Sequence, residues 1–122
     1  MNGLDTNVLL AWLIEGGSKQ LPGNGPYRIS FVVLAELVWT LRTTFKRSRT
    51  EIGGVISDIL ENQYFSYSDR GVLEQSLLEF VDGPADFTDY LLMFDNQADG
   101  CATTFTFDKR AGKHNGFTLI TG

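Results

Sequence analysis

Met1-Asn2-Gly3-Leu4-Asp5-Thr6-Asn7-Val8-Leu9 opens the chain and sets the architecture that follows. The short first segment, Met1 to Leu4, runs directly into Asp5-Thr6-Asn7, three residue types whose side chains start helices by accepting from unpaired backbone N–H groups. Val8, Leu9, Ala11, Trp12 and Leu13 then carry a helix that must stop by Gly16-Gly17. A strand that feeds a helix this directly is the start of a β–α unit. The rest of the chain repeats the alternation.

Glu15 to Tyr27 holds four Gly and two Pro and reads as a loop. Ile29 to Val32 is a strand, after which Leu34, Leu37, Val38, Leu41 and Phe45 recur at helical spacing. Ser48 and Thr50 with Glu51 open a helix whose Ile52, Val55, Ile56, Ile59 and Leu60 form one apolar face. Gly53 and Gly54 weaken it, each by about 1 kcal/mol against Ala. Tyr64 to Tyr67 reads as a short strand. Helices follow over Asp69–Phe80 and Asp86–Ala98, broken by Val81-Asp82-Gly83-Pro84. Thr103–Phe107 and Phe117–Thr121 supply the last strands. Strands separated by helical stretches predict βαβ crossovers and an α/β fold with a parallel sheet covered on both faces.

The chain has 122 residues, 43% of them hydrophobic, which is one domain's length with room for a core, and it is read as a single domain over 1–122. Charged residues at 20% with nine Phe, four Tyr and two Trp exclude a disordered chain. A single cysteine, Cys101, excludes a disulfide framework and a four-thiolate zinc site. It is expected to be a small packed residue in a reducing compartment. The formal charge of −5 argues against grip on nucleic acid through bulk positive charge, but not against a local basic groove. No apolar run has membrane-span length, and no basic region precedes Val8 to Ile14, so no signal peptide or membrane is expected. The location expected is cytoplasmic.

In an open parallel sheet, sites form beyond the carboxyl ends of the strands. Asp5 follows the first strand, Asp86 and Asp89 open the helix after Pro84, and Asp108 follows Thr103–Phe107. Asp86 and Asp89 are three apart, so both carboxylates lie on one side of a helix. Each acid also reads as a cap: Asp5, Asp86 and Asp108 stand at helix starts, and Asp86 with Asp89 mimics a capping box. Glu36 lies away from the Leu34, Leu37, Leu41 stripe, so periodicity makes it solvent-exposed and gives it no site. Carboxylates that converge at neutral pH repel unless a cation holds them, and an oxygen donor set selects Mg²⁺ or Mn²⁺ over Zn²⁺. His114, the sole histidine, sits in a Lys-His-Asn-Gly turn and is expected to be exposed. With no Ser–His or Cys–His partnership, metal-activated water is the natural nucleophile and a phosphate ester the natural substrate.

Four blocks resemble the PIN-domain ribonucleases, most closely the VapC-type toxins of bacterial toxin–antitoxin pairs. They are Gly3-Leu4-Asp5-Thr6-Asn7-Val8-Leu9, Val33-Leu34-Ala35-Glu36-Leu37-Val38-Trp39-Thr40-Leu41, Ala85-Asp86-Phe87-Thr88-Asp89-Tyr90-Leu91 and Thr104-Phe105-Thr106-Phe107-Asp108-Lys109, in family order across nearly the whole chain. The resemblance implies a three-layer α/β/α fold with a central parallel sheet and an acidic site at the strand carboxyl ends. It implies that Asp5, Glu36, Asp89 and Asp108 are the catalytic metal ligands, with Asp86 a close neighbour and further ligand candidate. Thr6 and Asn7 would support the first strand's end, and Thr106 would hydrogen-bond near the metal. The implied reaction is endonucleolytic cleavage of RNA with Mg²⁺ or Mn²⁺, the implied partner a cognate antitoxin, and many such toxins are homodimers. The chain departs from the pattern at Glu15–Tyr27, where similar toxins usually have another helix, and at Ala11, where many relatives carry a basic residue.

Arg42, Lys46, Arg47 and Arg49 fall within eight positions, with Lys109, Arg110 and Lys113 in a second patch after Asp108. Their ordinary reading is solvation near a helix C-terminus; their functional one is contact with RNA phosphates. Trp12 and Trp39 are expected in the core rather than as base-stacking platforms. Two other functions fit parts of the chain. A haloacid-dehalogenase-type phosphatase also has Asp after its first strand but needs a second Asp two positions on, where this chain has Asn7. A non-catalytic α/β binding module would use the acids only as caps.

Overall fold

Asp5 is where the first strand ends and the first helix begins. Its backbone is extended, and its carboxylate accepts from the Thr6 N–H at 2.7 Å. This is the computed structural model of the chain, which describes residues 1–16 and 21–121. The chain divides into two units, Met1–Ser68 and Asp69–Gly122.

The first unit runs β1 (Asn2–Gly3), α1 (Thr6–Ile14), β2 (Tyr27–Arg28), α2 (Phe31–Thr43), α3 (Arg49–Glu61) and β3 (Phe65–Ser66). Its strands are parallel in the order β1-β2-β3, with Asn2 opposite Tyr27 and Tyr27 opposite Phe65. The β2 strand lies two residues before the expected Ile29–Val32. The reason is Ser30, whose hydroxyl accepts from the Val33 N–H at 3.4 Å and draws Phe31, Val32 and Val33 into the helix. Within the expected Glu15–Tyr27 loop, residues 17–20, including Gly17, lie outside the described residues. The remainder is pinned by the Tyr27 hydroxyl, placed 3.3 Å from the Leu21 carbonyl and 3.1 Å from that of Gly23. Gly23 and Gly25 take φ of 75° and 66°, the left-handed region that glycine enters without a Cβ clash. The core of this unit includes Leu9, Ile29, Leu34, Leu37, Ile52, Ile56 and Ile59, all essentially inaccessible to solvent. Each such side chain contributes about 1.5–3 kcal/mol by leaving water.

The second unit runs α4 (Arg70–Asp82), α5 (Phe87–Ala98), β4 (Thr104–Thr106), a 3-10 turn (Ala111–Lys113) and β5 (Phe117–Leu119). The strand β4 pairs in parallel with β5, Thr104 opposite Phe117. The ladder is extended by the Ile120 N–H donating to the Thr106 carbonyl at 2.7 Å. Helix α4 starts at Asp69, whose carboxylate accepts from the Val72 N–H at 3.2 Å, and it continues past the expected end at Phe80 to Asp82. Gly83 caps its end with an extended backbone, and the position has no room for a side chain, because an added Cβ would run into the Tyr90 hydroxyl. Phe80 and Phe87 meet edge to face at 5.7 Å, joining α4 to α5 over a core of Leu73, Tyr90 and Met93. Both units therefore carry the α/β character read from the sequence, with every strand pair parallel. Among the described residues, no helix is long and apolar enough to cross a membrane.

Three side chains sit differently from expectation. Trp39 is exposed rather than in the core, while Trp12 is half-buried against the Phe65 ring at 5.3 Å. Cys101 is exposed, just past the α5 terminus and Gly100, whose φ is 94°. His114 is half-buried between the rings of Tyr90 and Phe94, at 5.8 and 6.0 Å. Its Nδ1 accepts from the Gly116 N–H at 2.9 Å, which leaves the other ring nitrogen, Nε2, to face Glu79 at 3.5 Å. His114 is thus the pin of the turn that enters β5.

Candidate functional site

The five candidate acids occupy four positions in the fold. Asp5 lies in the first unit, two residues past β1, at the N-cap of α1. Glu36 lies in the second turn of α2, exposed, as periodicity expects, opposite the buried Val33, Leu34, Leu37, Val38 and Leu41. Asp86 and Asp89 belong to the second unit, at the N-cap and in the first turn of α5, and both are half-buried. Asp108 is exposed, two residues past β4.

The capping expected of these acids is realised at Asp5 but not at the other two. Asp86 holds the N-cap position without making a side-chain cap bond, so the box expected of Asp86 and Asp89 does not form. Asp108 is not an N-cap, because the 3-10 turn starts three residues later, at Ala111. Its carboxylate instead accepts from the Arg110 N–H at 2.8 Å, and its own N–H donates to Thr106 Oγ1 at 3.0 Å. Asp108 is therefore held by a local Asx-type turn whose neighbours are Thr106 and the two cations Lys109 and Arg110.

The residues beside Asp5 are also informative. Asn7 is exposed, whereas Thr6 is buried and its hydroxyl oxygen has no hydrogen-bond partner among the described residues. An unsatisfied buried hydroxyl costs about 1–3 kcal/mol, and this one lies next to Asp5. The donors at these positions are carboxylate and hydroxyl oxygens, the set that Mg²⁺ and Mn²⁺ take. Within either unit, among the described residues, no three His, Cys, Asp or Glu side chains are gathered as a metal-holding group. Asp86 and Asp89 share one helical turn, but they and Asp108 do not form such a group.

The basic cluster follows α2. Arg42 is in its last turn, and Lys46, with a φ of 55° that is uncommon outside glycine, lies in the connection to α3. The Arg47 N–H reaches back to the Leu41 carbonyl at 2.9 Å, closing the helix end. The Arg47 side chain pairs with Glu51 at 3.4 Å in the open, and Arg49 opens α3. The Glu51 carboxylate also accepts from the Ser48 N–H, and this bond, then the Ser48 side chain, then Arg47, hold the carboxyl below its ordinary value of 4.5. A cleft of about 500 Å³ lies among α1, α2 and α3, its lining including Leu10, Trp12, Phe45, Arg47 and Asp58, and none of the five acids lines it.

The feature missed by reading the sequence is the exposed face of α2. Val32, Glu36, Trp39 and Thr43 recur at helical spacing opposite the buried stripe, so a helical wheel carries the signal that Trp39 faces outward. No family model, no curated protein and no solved structure matches this chain.

Proposed function

We propose that the chain is a PIN-like, metal-dependent endoribonuclease, the toxin of a toxin–antitoxin pair, acting as one domain over 1–122. The observation that carries the reading is the position of Asp5 and Asp108. Each stands two residues beyond the carboxyl end of a parallel strand, β1 and β4, where α/β proteins build their sites. The four-block resemblance adds Glu36 and Asp89 as partners, with Asp86 beside them, and supplies the central sheet of the three-layer fold. Support also comes from the buried Thr6 hydroxyl next to Asp5, which has no hydrogen-bond partner among the described residues.

In this reading Asp5, Glu36, Asp89 and Asp108 hold Mg²⁺ or Mn²⁺. An ion held there would supply water activated for attack on a phosphodiester and would stabilise the charge that develops. Asp5 is steadied by the Thr6 N–H and Asp108 by the Arg110 N–H, so each keeps carboxylate lone pairs for an ion. Arg42, Lys46, Arg47, Arg49, Lys109 and Arg110 would contact the RNA backbone. A cognate antitoxin and a homodimer complete the proposal.

Expression in a bacterial host tests it: wild type arrests growth, and Asp5→Asn does not. Calorimetry with Mn²⁺ separates the alternatives. A non-catalytic binding module gives no heat, whereas turnover of a small phosphomonoester through a covalent intermediate on Asp5 would favour the phosphatase.

A further inference from the structure

We infer that Trp39 is a base-stacking residue, which places one nucleobase of a single-stranded RNA on the exposed face of α2 next to Glu36. The inference rests on the ribonuclease reading for the role of Glu36, but its evidence is separate. Trp39 is 59% exposed and Val32 is 67% exposed, on a helix whose other face is packed into the core. Amphipathic helices place polar residues on that outer face, and a large indole there loses the burial that normally justifies it. Val32 and Trp39 flank Glu36 one turn to either side, so ring and carboxylate share one strip of surface. The Trp39 carbonyl accepts from the Thr43 hydroxyl at 2.8 Å, and Arg42 stands one turn beyond the ring, with Lys46 past the helix end.

An exposed indole continuing into a run of cations is what a single strand recognises: the ring takes a base, the cations take phosphates. A protein partner is the poorer occupant. The centre of a protein interface is depleted of charge, and here the two apolar side chains are split by a carboxylate. Stacking needs only one open ring face.

The test uses the full chain, a short fluorescein-labelled oligouridylate, low salt and EDTA, so that binding is read without cleavage. Trp39→Ala should weaken binding roughly 5- to 100-fold, the range set by about 1–3 kcal/mol per stacked base. Trp39→Phe should retain most of the affinity. A base-free phosphodiester chain should bind wild type and Trp39→Ala equally. In Trp12→Phe, where Trp39 alone fluoresces, the oligonucleotide should quench emission; in Trp39→Phe it should not.

Equal RNA affinity of wild type and Trp39→Ala overturns the inference, and if wild type still cleaves RNA with Mn²⁺ the ribonuclease reading survives. Loss of affinity in Trp39→Ala from a wild type that cleaves nothing sustains the stacking role and overturns the ribonuclease reading. Self-association that Trp39→Ala abolishes, with RNA affinity unchanged, would make the face a protein interface and overturn the stacking role.

Discussion

Helices α3 and α5 begin with the same arrangement, a capping-type residue three positions ahead of an acid, and they use it differently. At α3 the pair closes fully: the Glu51 N–H donates to the Ser48 hydroxyl at 3.1 Å, and the Ser48 N–H donates to Glu51 at 3.0 Å. At α5, Asp86 and Asp89 stand in the same positions, yet Asp86 makes no side-chain cap bond. One helix start is explained by folding. At the other no cap bond forms at Asp86, and its two acids are ones that the ribonuclease reading places at or beside a metal.

The largest effect that can break this contrast is on activity. Asp89→Asn should abolish metal-dependent RNA cleavage, whereas Glu51→Gln should leave the rate within about twofold of wild type, since Gln can still accept from the Ser48 N–H and Glu51 lies outside the proposed site. A gel-based cleavage assay reads both, and equal activity of Asp89→Asn and wild type would return α5 to the same class as α3. Stability comes next. Ser48→Ala should cost about 1 kcal/mol, the worth of an N-cap bond. Urea unfolding of wild type and Ser48→Ala measures it, and an unchanged midpoint would remove the cap as a source of stability.

The pH dependence is smaller again. Because the folded Glu51 carboxyl lies below its ordinary value of 4.5, its contribution is present above that value and is lost as pH falls through the lowered one. The unfolding midpoint of wild type should therefore drop relative to Glu51→Gln over that acid window and run parallel to it near neutrality. A constant difference across the range would remove the Ser48 bonds as its cause. Smallest of all, Arg47→Ala should cost about 0.5 kcal/mol or less, since the Arg47–Glu51 pair is exposed, and the cost should shrink with added salt.

The contrast also marks what is legible in the sequence. Helices are legible because an apolar stripe repeats over many residues: Ile52, Ile56, Ile59 and Leu60 announce α3, and Ser48 with Glu51 announces its start. Strands are less so, because β1, β2 and β3 are two residues long and carry no periodicity of their own. The Ile29–Val32 run looks like a strand until Ser30 claims its last residues for α2. Positions of Asp5 and Asp108 after strands are readable, since each follows its strand locally. Whether an acid caps its helix is not, as Asp86 shows, because a cap is decided by side-chain orientation rather than by spacing. The outward turn of Trp39 is written in the helical wheel but masked by the usual association of tryptophan with cores. His114 is masked in the opposite sense: a polar turn sequence hides a ring packed between Tyr90 and Phe94.

Cleavage of a single-stranded RNA by the purified chain, with Mn²⁺ and with EDTA, for wild type and Asp5→Asn, tests the central claim most directly. The account predicts cleavage by wild type with Mn²⁺ only, and none by Asp5→Asn under either condition. Cleavage that persists in EDTA, or that Asp5→Asn performs at the wild-type rate with Mn²⁺, would contradict it.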